Sequence, residues 1–169
     1  MHLTGHERFF ADDDIIVSKT DLKGHITYAN HTFQEVALYS EAELLGKPHN
    51  IIRHPAMPRA VFKLLWDVIE SGQEIFAYVI NRSKNGDHYW VFAHVTPTFD
   101  EAGKIIGYHS NRRVPERSAI AKVEPIYAAV LEEEAKYKAT RDQVAAGMRL
   151  LTTLLEGTKM PYEEFVFSL

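Results

Sequence analysis

Residues 47–58, with the sequence KPHNIIRHPAMP, concentrate side chains that can bind a charged ligand. The three prolines of this segment prevent a long helix, so we expect a stiff loop. Arg53 presents a planar fork of N–H donors that suits phosphate or carboxylate groups, and the histidine rings can donate or accept hydrogen bonds. A structural alternative stays open, in which Arg53 pairs with a carboxylate and His54 caps a turn. His49 and Asn50 would then be ordinary polar residues of a loop.

Composition excludes several classes of protein. The chain has 169 residues and a formal net charge of −4, so it lacks the basic surface expected of a nucleic-acid-binding protein. It has no cysteine, which excludes disulfides, thiolate catalysis and iron–sulfur clusters. No apolar run approaches the ~20 residues that span a bilayer, and the N-terminus has no signal-peptide core. We therefore expect a cytoplasmic protein without direct membrane insertion.

The nine histidines do not form a recognisable metal site. None combines with carboxylates at a ligand spacing, and there is no H-E-x-x-H motif. Nucleophile–base motifs, a P-loop and a G-x-G-x-x-G sequence are also missing. We therefore expect no bound metal, no catalytic residues and no enzyme activity.

Residues 15–114 predict a two-layer α+β domain. Two apolar segments around the turn at Gly24 form a hairpin, and three more strands follow a set of helices. The pair Asn85-Gly86 is a strong hairpin signal between the third and fourth strands. Because every turn except the helical crossover is a hairpin, the sheet should be antiparallel, with the crossover helices on one face.

The crossover should contain two short helices and a longer one. Asn30 is a plausible N-cap of the first helix, and Ser40 with Glu43 forms a capping box for the second. The segment RAVFKLLWDVIESG, from residue 59, has apolar residues on one face and ends at Gly72.

Residues 115–169 predict a helical signalling or dimerisation segment, and residues 1–14 an N-terminal cap. Pro125 suits the first turn of a helix, and Thr140 with Gln143 could form a capping box. The apolar stripes of this segment need a partner, which could be the chain's own sheet, each other or another chain. We expect a homodimer on this basis.

A resemblance to a known family rests on five strings, which are, in order, DLKGHITYANHTF, GKPHNIIRHPAMP, FKLLWDVIESG, NRSKNGDHYWV and GYHSNRR. Over residues 12–114 the chain resembles the PAS domain of the bacterial aerotaxis-receptor type. The resemblance implies a five-stranded antiparallel sheet that cups a non-covalently bound FAD beneath short helices. It also implies a redox or energy sensor that relays the flavin's state to a membrane chemoreceptor or another signalling partner. Because no receptor or kinase portion follows, the chain resembles the separate PAS subunit of a two-protein energy-taxis receptor.

The resemblance implies a set of cofactor-binding residues, namely Asn30, His49, Asn50, Arg53, His54, Trp66, Asn81 and Trp90. By this match, Trp66 and Asn81 line the isoalloxazine pocket, and Arg53 and His54 contact the phosphates or the ring. The alternatives are core packing for Trp66, solvent contact for Asn81 and a helix N-cap for Asn30. Alternation puts Trp90 on the opposite strand face from Tyr89, without deciding which of the two faces the cofactor.

One position departs from the family pattern. An acidic residue commonly follows the string RHP, and here the residue is Ala56. A possible partner of Arg53 or of a ribose hydroxyl is therefore missing. Two other functions stay open: a ligand-free PAS module for protein–protein interaction, and a haem-binding gas sensor. The second would depend on His54, since the longer helix contains no histidine.

Overall fold

The computed structural model describes residues 2–169 and contains one sheet of five antiparallel strands. The strands are β1 (Ile16–Thr20), β2 (Ile26–Ala29), β3 (Ile75–Arg82), β4 (His88–Phe99) and β5 (Ile105–Arg113). Their order is β2-β1-β5-β4-β3, so β5 lies at the centre and β3 at one edge. Met1, the first residue of the predicted cap, lies outside the described residues.

The crossover from β2 to β3 carries four short helical elements: α1 (His31–Ala37), α2 (Glu41–Leu44), a 3₁₀ turn (His49–Ile52) and α3 (Arg59–Glu70). Asn30 caps α1 as predicted, because its Oδ1 accepts a hydrogen bond from the backbone N–H of Phe33 at 3.1 Å. The capping box of Ser40 and Glu43 is also present. The predicted α+β fold, an antiparallel sheet with short helices on one face, is confirmed.

Three more helices follow the sheet: α4 (Arg117–Ala135), α5 (Thr140–Thr158) and α6 (Tyr162–Phe167). The α4 helix packs on the sheet face opposite the crossover helices, where the Tyr127 ring lies 6.1 Å from the Trp90 ring. The α5 helix packs against both α3 and α4. The apolar stripes therefore meet the chain's own sheet and each other. Between residues 2 and 169, no helix is both long enough and apolar enough to cross a membrane.

Two local predictions in this segment were wrong. Pro125 lies inside α4 and not in its first turn. The hydrogen bond that it cannot donate falls on an exposed face of the helix, while Val123 and Tyr127 are buried on the other face. The predicted capping box at Thr140 is not formed, because α5 begins there after the N-cap Ala139. The Gln143 amide instead donates to the carbonyl of Tyr137 at 2.9 Å.

A buried carboxylate joins the C-terminal helices to the crossover. The α3 helix has no side-chain cap of its own, since it begins after Pro58. Glu134 of α4, which is 4% exposed, accepts from the backbone N–H of Arg59 at 3.1 Å and of Ala60 at 2.8 Å. A Cβ added to Gly147 of α5 would lie 2.7 Å from this carboxylate, so α5 covers the junction closely. Two donors that every helix leaves unsatisfied are thereby paired inside the protein.

Replacing Glu134 with Ala should therefore lower the free energy of unfolding by about 1–3 kcal/mol, because two buried N–H groups lose their acceptor. Urea denaturation followed by circular dichroism measures this change. The matched control is Glu132→Ala on the exposed face of the same helix, which should change stability by less than about 0.5 kcal/mol. Equal effects of the two substitutions would contradict the capping role.

Candidate ligand-binding site

A cavity of about 410 Å³ lies between α3 and the inner face of the sheet. The 3₁₀ turn and the strands β1, β3, β4 and β5 also contribute lining residues. Its lining has basic, amide and hydroxyl groups on an otherwise apolar surface, and it consists of Ser18, Thr20, Lys23, Gly24, Pro48, His49, Asn50, Ile52, Arg53, Phe62, Leu65, Trp66, Ile69, Val79, Asn81, Ala93, Val95, Tyr108, His109, Ser110 and Arg112. No carboxylate is among these lining residues. The cavity can therefore hold a largely apolar molecule with an electron-rich edge.

The helix α3 supplies one wall of the cavity. Its lining residues are spaced by three or four positions, which puts them on one face of the helix; they are Phe62, Leu65, Trp66 and Ile69. The Trp66 ring meets the Tyr108 ring edge to face, with centroids 5.4 Å apart and an interplanar angle of 89°. Gly24 allows this placement, because a Cβ there would lie 3.1 Å from the Trp66 ring.

A hydrogen-bonded chain crosses the sheet side of the cavity. Arg112 Nη2 donates to Ser18 Oγ at 2.6 Å, and the same oxygen lies 3.1 Å from His49 Nε2. Burial, with a contribution from the nearby Arg112 charge, lowers the pKa of His49 to about 3, so the ring is neutral at pH 7. Because Ser18 accepts from the arginine, its own hydroxyl proton is available to His49 Nε2.

Arg112 is the most unusual side chain of the cavity. It is 2% exposed, and its Nε and Nη1 have no hydrogen-bond partner within residues 2–169. Its guanidinium lies over the Phe33 ring, 4.4 Å from the centroid. Burial lowers the pKa of Arg112 to about 10, which leaves it charged at neutral pH. The buried hydroxyl of Tyr89 also has no hydrogen-bond partner among the described residues.

The loop that carries Arg53 is tied to the end of β3. Arg53 and Asn81 form an isolated antiparallel bridge, and the Arg53 guanidinium donates to the carbonyl of Met57 at 3.2 Å. Burial is the main cause that lowers the pKa of Arg53, followed by repulsion from Arg59, while Glu134 opposes both.

Five of the eight predicted binding residues line the cavity, namely His49, Asn50, Arg53, Trp66 and Asn81. The other three lie elsewhere. Asn30 binds backbone groups, accepting from Val17 N–H at 2.9 Å and donating to the carbonyl of Ile15 at 2.7 Å. The His54 ring accepts from the backbone N–H of Ala56 at 3.1 Å and lies 5.6 Å from the His88 ring. Trp90 meets the C-terminal helices on the opposite face of the sheet.

Several lining residues were missed by sequence reasoning, above all Ser18, Tyr108 and Arg112. The alternation of β5 puts Tyr108, Ser110 and Arg112 on one face, and all three line the cavity. That alternation was available in the sequence, but the face of the sheet that encloses the cavity was not known. In the part of the chain that is described, no group of three or more acidic, histidine or cysteine side chains could hold a metal ion.

Two half-buried histidines, His49 and His54, predict a loss of stability in acid. Burial lowers the pKa of His49 to about 3 and, with repulsion from His88 and Arg82, lowers the pKa of His54 to about 4. An unfolded histidine titrates near pH ~6.5, so the unfolded chain binds more protons between that pH and about 4. The free energy of unfolding should therefore decrease as the pH is lowered through this window. The decrease should be at most about 1.4 kcal/mol per pH unit for each histidine.

Denaturation curves at several pH values between about 7 and 4.5 measure this slope. The variant His49→Asn should have a shallower slope than the wild type, because one of the two groups is removed. Replacement of His31 by Asn is the control, since 82% of that side chain is exposed. Identical slopes in all three proteins would show that His49 is not buried in its neutral form.

Known proteins that are similar to the chain include a receptor, a regulatory protein and a light-oxygen-voltage domain. The chain is 46% identical to the aerotaxis receptor of Escherichia coli (strain K12) over 129 residues, which are 76% of this chain and 25% of the receptor. It is 28% identical to the nitrogen fixation regulatory protein of Klebsiella pneumoniae over 99 residues, 59% of this chain and 20% of that protein. Both relatives are thus matched over a quarter of their length or less.

A solved structure shares the fold. It is a light-oxygen-voltage domain from a study of its mechanism with a flavin analogue, with a TM-score of 0.57 and 21% identity. The alignment covers 66% of this chain and 84% of that one. The family model of the PAS fold matches residues 26–112, which are 87 of the chain's 169 residues. The sheet, the crossover helices and the cavity between them all lie largely within this match, and the chain belongs to the PAS fold family.

Proposed function

We propose that this PAS domain binds FAD without a covalent bond and acts as a redox or energy sensor. The observation that carries the proposal is a cavity of about 410 Å³ with an aromatic wall and no lining carboxylate. Its volume lies within the range of ~300–1,000 Å³ that is usual for small-molecule sites. A bound flavin would supply reversible electron transfer, and the protein would supply binding, orientation and electrostatics.

The lining residues suit the separate parts of such a ligand. The aromatic side chain of Trp66 offers a flat apolar surface for a ring system. The amides of Asn50 and Asn81 offer donors and acceptors for its polar edge. Lys23 and Arg53 are basic groups of the kind that binds a diphosphate.

The signal is proposed to leave the cavity through α3. This helix carries Trp66 into the cavity wall, and its first N–H groups are held by Glu134 of α4. A ligand whose contacts differ between its two redox states therefore shifts the balance between two arrangements of these helices. A coupling of about 1–3 kcal/mol is enough to bias the binding of a partner.

The similarity to the E. coli aerotaxis receptor supports a sensor role and a signalling partner. We propose a membrane chemoreceptor or another signalling protein as this partner, and the cytoplasm as the location. The proposed units are an N-terminal cap, a sensor domain and a signalling or dimerisation segment, over residues 1–14, 15–114 and 115–169.

A homodimer is also proposed, with a restriction on its interface. Part of the apolar surface of α4 is used within the chain, since Ile120, Val123 and Val130 are each at most 2% exposed. An interface must therefore use apolar side chains that remain accessible, such as Phe9 at 70% and Phe167 at 60% exposure.

The cofactor proposal predicts a yellow protein whose visible absorbance bleaches with dithionite, either as purified or after reconstitution with FAD. Replacing Trp66 with Leu should weaken FAD binding by about tenfold or more, because the aromatic wall is lost. Fluorescence quenching of added FAD measures the dissociation constant.

The matched control is Trp90→Leu, which removes the other tryptophan, 5% exposed, from the opposite face of the sheet. This control should lose stability but keep the wild-type affinity for FAD. A colourless protein that does not take up FAD would contradict the proposal and favour a ligand-free interaction module. A Soret band in place of a flavin spectrum would favour the haem alternative.

Light scattering of the full chain tests the homodimer. The expected mass is twice the 19.3 kDa of one chain, and it should fall on dilution if the interface is small. The double replacement of Phe9 and Phe167 by Ser should lower the dimer fraction. A mass of one chain at every concentration would contradict dimerisation.

A further inference from the structure

Within residues 2–169, no acidic side chain forms an ion pair with Arg112. The side chain is 2% exposed, no carboxylate lines the cavity, and none forms an ion pair with this guanidinium among the described residues. Of its nitrogens, Nη2 binds Ser18, while Nε and Nη1 bind nothing within residues 2–169. Buried charges in proteins are normally paired, so an unpaired one needs an explanation.

The groups around Arg112 do not neutralise it. Phe33 offers the face of its ring and Ser18 a single hydroxyl oxygen. His49 is neutral at pH 7, and burial raises the pKa of Tyr89, so its phenol is neutral as well. A cation–π contact and one hydrogen bond compensate only part of the lost hydration of a guanidinium. Because Arg112 lines the cavity, negative charge on a bound ligand would supply electrostatic compensation that the protein does not.

The position of Arg112 distinguishes it from the other basic groups of the site. Arg112 lies on the central strand β5, at the sheet side of the cavity. In the strand register it is opposite Ile16 of β1. Arg53 belongs to the loop, and Lys23 belongs to the turn between β1 and β2. Their side chains are half-buried and exposed, respectively, as suits groups that bind a diphosphate at the cavity mouth.

We propose that Arg112 is the receptor for the electron-rich edge of the ligand's ring system, and that it makes the cavity selective for ligands that carry or acquire negative charge at that edge. This inference rests on the proposed function and adds the residue that sets the charge preference of the site. A fixed cation beside the ring favours the reduced flavin, which gains electron density, over the oxidised one. Arg112 therefore raises the reduction potential of the bound cofactor.

The variant Arg112→Met tests this, with Arg112→Lys to keep the charge. The control is Arg113→Met, because Arg113 is the next residue of the same strand and is exposed on the other face. Three quantities are measured: the melting temperature without ligand, the dissociation constants for FAD and for riboflavin, and the reduction potential by spectroelectrochemical titration.

The expected results separate a binding role from a structural one. Without ligand, Arg112→Met should melt at the wild-type temperature or above it, because an uncompensated buried charge is removed. Its affinity should fall by about tenfold or more, and by the same factor for FAD and riboflavin, since the ring is common to both. Its reduction potential should be lower than that of the wild type. Arg112→Lys should recover part of both losses, and Arg113→Met should match the wild type.

Other outcomes overturn the proposal. Failure of Arg112→Met to fold, or a lower melting temperature without ligand, would mean that the arginine serves stability. A loss confined to FAD would place the diphosphate at Arg112 and not the ring. If Arg112→Met binds flavin with the wild-type reduction potential, the proposed charge preference is contradicted. The proposed function would stand in that case. Absence of flavin binding in the wild type would instead contradict the proposed function, and this inference with it.

Discussion

The carboxylate of Glu134 holds the first turn of the helix that walls the cavity, and much of the structure depends on that contact. The α3 helix begins after Pro58, which has no N–H and no side chain that can cap a helix, so its first donors need an acceptor from elsewhere. Glu134 supplies it from α4, while Gly147 leaves just enough space for α5 to close over the junction. The helices after the sheet therefore help to position the site. A displacement of α3 would also change its contact with α4.

The electrostatic character of the cavity follows from what is missing. Lys23, Arg53 and Arg112 line it, and no acidic side chain does. Burial keeps His49 neutral, so the interior holds fixed cations, neutral donors and an apolar surface. A protein that maximised its own stability would pair or remove the charge of Arg112. A site that binds an electron-rich ligand gains from leaving it unpaired, since the ligand completes the balance.

Much of the fold could be predicted because local signals agreed with one another. Asn30 as an N-cap, the box of Ser40 and Glu43 and the Asn85-Gly86 turn each mark a boundary that the structure contains. The site was less predictable, since which strand face borders a cavity depends on packing across the whole chain. Trp90 was predicted to bind the cofactor but packs against α4. Arg112 was not predicted, although it lines the cavity. His54 has the right chemistry, but its ring accepts from Ala56 N–H and lines no part of the cavity.

Two tyrosines at the sheet edge have a consequence for how the chain behaves among other chains. Tyr127 of α4 donates to the carbonyl of Tyr78 at 2.5 Å, and Tyr162 of α6 donates to the carbonyl of Phe76 at 2.9 Å. Both acceptors belong to β3, one of the two edge strands of the sheet. The two residues are two positions apart, so their carbonyls point in the same direction. An edge strand with free carbonyls is a template for adding a foreign strand and so for aggregation. Tyrosine hydroxyls of the C-terminal helices already bind these two carbonyls, so a strand of another chain cannot pair with them. The C-terminal helices therefore oppose edge-to-edge association of the sheet.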